Sequence, residues 1–191
     1  DNVCEVHIVS VKNECKELLF VIGREPVESP EIHCVNYKAA DSSPQFFSFK
    51  MGDERDAAAN YSSTVKKYLY EPNASILKAG AFKSVSLRYA MAKMHPNSHL
   101  YTSDVFVENF PGRIFEVEEV MPFSSKLAKT LVQSIPRANI TVRNFPLSVE
   151  ELRKKSKVKD GGDVYLFATV ISANDKVLLR CRKAYFTGTK E

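Results

Sequence analysis

The lysines and arginines of the C-terminal third are the residues whose types and spacing most clearly suggest chemistry. Segment 151–159, ELRKKSKVK, holds five cations against one acid. Cationic side chains at this density contact phosphates without reading base sequence, so they predict a nucleic-acid-binding surface. The alternative is a solvated helix end, where lysines suit the negative end of the helix dipole. The candidate binding residues are Lys126, Lys129, Arg143, Arg153, Lys154, Lys155, Lys157, Lys159, Arg180 and Arg182.

Residue patterns for catalysis are missing from the sequence. It contains no GxGxxG, GxxxxGK[ST], HExxH or GxSxG motif. Glu118 and Glu119 are neighbours in a predicted strand, where adjacent side chains point apart. Glu150 and Glu151 fall in the first turn of a predicted helix, where acids suit the dipole. We therefore predict no catalytic residue in this chain.

The cysteines and histidines do not suggest a metal site. Four cysteines are scattered without a CxxC pair: Cys4, Cys15, Cys34 and Cys181. Four histidines do not cluster with them in sequence: His7, His33, His95 and His99. The pattern predicts reduced thiols in a cytoplasmic protein and no zinc site.

Length and hydropathy set the general class. The 191 residues allow one medium domain or two small ones, each with a core. No apolar run is long enough to cross a bilayer, so no membrane partner is expected. The chain enters a strand at once, without a signal pattern, and we expect it to be a piece of a longer protein.

The N-terminal part is rich in strand patterns. Alternating apolar residues predict strands over 3–11, 31–37 and 46–51. Segment 16–22 predicts the second strand of a hairpin, with a short helix as the alternative. Such a small block must pack on something else.

The middle of the chain predicts helices. Residues 51–69 predict a loop, with a short helix near 62–69, and residues 68–92 predict a helix with Pro72 in its first turn. Glu71 would then be a structural cap before that helix, or a residue lining a cleft. An extended segment is expected at 100–106.

The C-terminal part has the clearest pattern. Ser124 is a candidate N-cap, and Ser148 with Glu151 forms a capping-box sequence. The first strand carries acids on both sides and is therefore expected near a sheet edge. The predicted β-α-β-α-β-β order is strand 113–120, helix 124–135, strand 138–145, helix 148–155, central strand 163–171 and strand 176–186, with a turn at 172–175. This order predicts a two-layer α+β sandwich with a single helical layer.

Three stretches resemble a known family. They are EVHIVSVKNECKELLFVI (5–22), YLYEPNASILKAG (68–80) with the motif Tyr70, Glu71 and Pro72, and the whole of 113–184. These stretches are similar to the C-terminal portion of bacterial class I S-adenosylmethionine-dependent methyltransferases that carry a THUMP-like domain.

The resemblance implies an organisation for the whole chain. It implies an α+β fold with a ferredoxin-like, β-rich subdomain at 1–67, a helical connector with the Tyr-Glu-Pro motif at 68–112 and a THUMP-like domain at 113–191. It also implies an upstream Rossmann-like domain that binds S-adenosylmethionine. No cofactor and no catalytic activity are then expected in this chain alone.

The family relationship gives the functional hypotheses. The first is a substrate-recognition module whose partners are RNA, of either the ribosomal or the transfer class, and the chain's own upstream methyltransferase domain. The alternative is a structural or protein-interaction domain that packs on the methyltransferase core without nucleic acid. Apolar surface around 68–92 would favour that alternative. A third hypothesis is an independent enzyme with a pocket of convergent titratable groups.

Overall fold

A computed structural model describes residues 2–39, 43–171 and 174–186. The chain forms two compact units, and it crosses between them several times. The first unit comprises residues 1–60, 71–91 and 109–113, and the second comprises 61–70, 92–108 and 114–191. These units do not coincide with three consecutive segments, so the domain boundaries 1–67, 68–112 and 113–191 stay a prediction.

The first unit is built on a four-stranded sheet in the order β2-β1-β3-β4. Its strands are β1 (Val3–Val11), β2 (Glu14–Ile22), β3 (Glu31–Tyr37) and β4 (Gln45–Lys50). Lys12 and Asn13 both have positive φ, which suits the two-residue turn of the β1–β2 hairpin. The predicted hairpin is therefore confirmed and its helical alternative is wrong. Part of the turn expected at 41–45 lies outside the described residues.

One face of this sheet carries the core of the first unit. Ile8, Ile32, Cys34, Phe47 and Phe49 are buried there. Burial raises the pKa of the Cys34 thiol to about 12, as for an unreactive packing residue.

Three short helices belong to this unit, and two of the sequence predictions for them are wrong. The helices are α1 (Met51–Asp56), α2 (Ala74–Ala79) and α3 (Phe82–Arg88). The structure has no helix at 62–69, and the helix expected over 68–92 is divided. Gly80 adopts φ 77° at the end of α2, a conformation that stops a helix. The Glu54 carboxylate of α1 accepts hydrogen bonds from the backbone nitrogens of Lys83 (2.9 Å) and Ser84 (2.7 Å) and so caps α3.

The second sheet has seven strands in the order β6-β7-β5-β8-β11-β10-β9. The elements are β5 (Tyr68–Pro72), β6 (Ala92–Lys93), β7 (Tyr101–Ser103), β8 (Gly112–Pro122), α4 (Ser125–Ser134), β9 (Asn139–Arg143), α5 (Val149–Ser156), β10 (Tyr165–Val170) and β11 (Lys176–Lys183). The predicted β-α-β-α-β-β order and the mixed sheet are confirmed, because β9 and β10 are parallel and β10, β11 and β8 antiparallel. The turn expected at 172–175 lies partly outside the described residues.

Strand β8 is central, so its predicted position near an edge is wrong. It lies between β5 and β11. The Glu118 carboxylate accepts from Arg180 Nε at 3.0 Å and also pairs with Arg182, both on β11. The acids of β8 are thus matched by cations of a strand distant in sequence, which no local pattern reveals.

Apolar clusters cover both faces of β10. Leu166 and Ala168 pack with Leu131 of α4 and Leu152 of α5. Phe167 packs on the other face in a second cluster, with Leu69, Phe115, Leu179 and Cys181. The prediction that this strand is apolar on both faces is confirmed. Among the described residues, no helix is long and apolar enough to cross a membrane.

Candidate nucleic-acid interface

Helices α4 and α5 share one face of the second sheet and present lysines on their outer side. Ala128 and Leu131 of α4 are buried, as are Leu152 and Ser156 of α5. With 3.6 residues per turn, the opposite side of each helix faces solvent. Exposed residues on those sides include Lys126, Lys129, Lys154 and Lys155.

Side-chain caps fix where both helices begin. Ser124 Oγ accepts from Leu127 N at 3.0 Å at the start of α4. In α5, Ser148 Oγ accepts from Glu151 N at 3.2 Å and the Glu151 carboxylate accepts from Ser148 N at 2.8 Å. Both predicted caps are confirmed, and they set the rotation that sends the lysines outward.

The chain leaves α5 in a left-handed turn. Lys157 has φ 58°, and its backbone nitrogen donates to Arg153 O at 2.7 Å. Lys157 and Lys159 are exposed beyond this turn. Six exposed lysines of this region are named the lysine surface: Lys126, Lys129, Lys154, Lys155, Lys157 and Lys159. Within the part of the chain that the structure describes, none of the six is in an ion pair.

The predicted arginines have structural contacts instead. Arg153 donates to Val158 O and Ala138 O, both at 3.2 Å, and pairs with Asp160. These contacts hold the end of α5 against the start of β9. Arg180 and Arg182 share Glu118, as described above. The structure thus separates the ten predicted binding residues into lysines that face solvent and arginines that pair with the protein.

Arg143, the remaining arginine of the set, ends β9 and is half-buried. Its charge acts on His99, in the segment between β6 and β7. Burial lowers the pKa of His99 to about 4, and the positive charges of Lys93 and Arg143 contribute to the shift. His99 is therefore neutral at pH 7.

The shifted pKa of His99 predicts a pH-dependent stability. The folded-state pKa lies below the ordinary value of 6.5, so the unfolded chain binds the proton more readily between these values. Stability is then complete above pH 6.5 and falls as the pH drops towards 4. The shift corresponds to up to about 3 kcal/mol, which partial exposure reduces to about 1–2 kcal/mol.

Urea unfolding of the chain and of the His99→Asn variant between pH 7 and pH 4 measures this contribution. Asparagine tolerates the positive φ of 52° at this position and does not titrate. Carboxylates also protonate in this range, so the difference between the two pH profiles is the relevant quantity. Parallel profiles would contradict the assignment.

The Tyr-Glu-Pro motif is structural. Tyr70 is fully buried, and its hydroxyl donates to Val105 O and accepts from Val107 N, both at 2.9 Å. Burial raises the pKa of this hydroxyl. Pro72 is also buried, at the end of β5, and is not in a helix.

Glu71 is neither a helix cap nor a cleft residue, so both predictions for it are wrong. Its side chain is 2% exposed and accepts from Arg113 Nε at 2.7 Å. The cap of α2 is Asn73, whose Oδ1 accepts from Ile76 N at 3.2 Å and from Ser75 Oγ at 2.7 Å. An Asn directly before an apolar run was the sequence signal for this cap.

The histidines are not all dispersed, which corrects the prediction that they form no cluster. Glu5, His7 and His33 place their ligand atoms within 4.8 Å of one another on the first sheet. The parallel pairing of β1 and β3 brings them together, and sequence spacing gave no sign of it.

Comparisons with known proteins identify two domain families within the chain. Residues 68–111 match a ferredoxin-like domain, and residues 112–183 match a THUMP domain-like family. The THUMP-like assignment agrees with the range expected. The ferredoxin-like match covers the segment taken as the connector, while residues 1–67 lie outside both matches.

A crystal structure of a candidate methyltransferase from Porphyromonas gingivalis W83 is similar to the chain. The two are 44% identical, with a TM-score of 0.90 over 96% of this chain and 46% of the other. The chain therefore spans about half the length of that protein. No functionally curated protein matches the sequence.

Proposed function

We propose that this chain, which carries a ferredoxin-like and a THUMP-like domain, is the RNA-binding, substrate-recognition part of a methyltransferase. The observation that carries the proposal is the lysine surface on the helical layer of the THUMP-like domain. Lysine ammonium groups that are exposed and not in described ion pairs can neutralise phosphates at little cost, because nothing in the protein must be given up.

The catalytic step belongs, in this proposal, to a domain outside the chain. The similar methyltransferase is about twice as long as the matched part. The sequence has no Gly-rich strand-to-helix turn that could hold the phosphate-free nucleoside of S-adenosylmethionine in a Rossmann-like site. The methyl donor would bind upstream, and this chain would position the acceptor RNA. We place the whole protein in the bacterial cytoplasm, where its free cysteines would stay reduced.

RNA binding through the lysine surface predicts a steep salt dependence. Each phosphate contact releases counterions, so log K falls with log salt with a slope of about 0.7 to 0.9 per contact. A variant with Lys126, Lys129, Lys154 and Lys155 changed to Gln should lose about 3 units of this slope. Fluorescence anisotropy with a labelled RNA hairpin over a series of salt concentrations measures it.

The matched control changes four lysines of the first unit to Gln: Lys12, Lys16, Lys50 and Lys78. Both variants take the net charge from +4 to 0, so they differ only in where the charge is removed. The control should keep the parental slope. Equal losses in the two variants would show only a net-charge effect, and a salt-independent affinity of the parent would contradict RNA binding.

A second candidate function is protein interaction, favoured by the edge strand β2. Its residues Leu18 to Ile22 are all large and apolar, with exposures from 44% to 71%. An open edge of this kind can pair with another protein. Segment 68–92, where such a surface was expected, instead buries Leu69, Ile76 and Val85. If this function replaces RNA binding, Phe20→Ser should change association in sedimentation velocity while the lysine variants have no effect.

A further inference from the structure

Strands β1 and β3 bring two histidines and a glutamate together on the first sheet. The strands are parallel neighbours, and His7 lies directly opposite His33 in the register. Glu5 precedes His7 by two residues and therefore lies on the same face. All three side chains are partly exposed, at 43% for Glu5, 33% for His7 and 24% for His33, so an ion can reach them from solvent.

The two imidazole rings direct the same kind of nitrogen at one carboxylate. Nε2 of His7 lies 2.9 Å from Glu5 Oε2, and Nε2 of His33 lies 3.8 Å from the same oxygen. The rings are stacked, with centroids 4.6 Å apart and planes at 27°. Two nitrogens and one oxygen thus converge on a single point beside the sheet.

Ser48 of β4 fixes one of these rings. His33 Nδ1 lies 2.9 Å from Ser48 Oγ. When Nδ1–H donates to the hydroxyl, Nε2 carries the lone pair, which is the form that a metal requires. A partner on the second ring nitrogen is the usual support of a histidine ligand.

We propose that Glu5, His7 and His33 bind a divalent transition-metal ion, with Zn²⁺ as the ion that best fits the donor set. Two imidazoles and a carboxylate are a common set of three zinc ligands. Ca²⁺ and Mg²⁺ prefer sites made entirely of oxygen ligands and fit less well. Three protein ligands leave a fourth position for water or for a donor from another molecule.

Metal binding here would link two strands that are separated by a hairpin and a loop. Binding to the folded chain alone stabilises it, so the melting temperature should rise with the zinc concentration. Protons compete for the histidine nitrogens, so affinity should fall as the pH drops below neutral.

Isothermal titration calorimetry of the 191-residue chain with ZnCl₂ tests the site. Cys4 and Cys15 are free thiols that reach solvent and could bind zinc themselves. The titration is therefore carried out in a Cys4→Ser, Cys15→Ser background. We expect one ion per chain, and Cu²⁺ bound in its place should show coupling to two imidazole nitrogens in electron paramagnetic resonance spectra.

Graded variants separate a metal site from a hydrogen-bonded surface patch. Ser48→Ala should weaken zinc binding about 10-fold, and His7→Gln or His33→Gln should each weaken it by roughly 100-fold or more. Glu17→Gln is the matched control, because Glu17 lies opposite Val9 on the same face, and it should not change affinity. Metal-free melting temperatures verify folding. Absence of saturable 1:1 binding, or unchanged affinity in both histidine variants, would overturn the proposal.

Discussion

Replacing Gly112 with alanine is expected to destabilise the chain by about 4 kcal/mol or more, which places it among the most damaging single substitutions. A Cβ at this position would lie 2.1 Å from Glu71 O, 2.6 Å from Phe110 Cε1 and 2.9 Å from Pro72 Cα. Two of these atoms belong to the backbone, so relief requires the chain itself to move. Urea unfolding followed by circular dichroism measures the loss, and insoluble expression would be its extreme form.

Gly161→Ala is the matched control for Gly112→Ala. Gly161 has φ 91°, but no heavy atom lies within 4 Å of a Cβ added there. This substitution tests backbone strain without a clash, and we expect a cost of about 1–2 kcal/mol. Equal costs at the two positions would mean that the close approach of Gly112 to residues 71 and 72 has been misassigned.

Arg113→Met is expected to cost about 3 kcal/mol, because it removes the cation paired with a carboxylate that is almost fully buried. Arg113 donates to Glu71 from both Nε and Nη2, and the Glu71 side chain is 2% exposed. Removal of the arginine leaves the negative charge with far less compensation. Chemical denaturation at pH 7 provides the measurement.

Two further variants identify the origin of that cost. Arg55→Met removes an arginine whose side chain is 78% exposed and paired with Asp56, and it should cost less than about 1 kcal/mol. The double variant Glu71→Leu, Arg113→Met removes both charges and should be more stable than Arg113→Met alone. If Arg113→Met is as mild as Arg55→Met, the buried pair does not stabilise the fold.

The C-terminal region was predictable because its signals are local. The capping box of Ser148 and Glu151, the N-cap at Ser124 and the apolar spacing of α4 each depend on neighbours within four residues. The structure confirms these elements and their order.

Segment 51–92 was mispredicted because short apolar runs do not distinguish strands from helices. Leu69 and Tyr70 are fully buried in β5, and their pattern could equally have begun a helix. Helix α1 was missed because it is a single polar stretch of six residues, with Glu54 held by a contact to α3. Tertiary contacts decided both cases.

Charge pairing changed the candidate binding site in the same way. The sequence counts Arg153, Arg180 and Arg182 with the lysines, although acids far away or several residues along the chain neutralise them. The lysines of α4 and α5 keep the role predicted for them because helical periodicity alone places them on the outer side.

The sequence by itself determined which segments form the helical layer, where its helices begin and that their lysines face outward, since these properties depend on residues within one or two turns. Only the tertiary structure decided that β8 is central, that Glu71 pairs with Arg113 and that Glu5, His7 and His33 meet on one face. Each of these depends on which strands pair and in what register, and pairing across tens of residues is set by packing of the whole sheet. The residues that bind phosphate were thus visible in the sequence, whereas those proposed to bind metal became visible only when β1 and β3 were placed side by side.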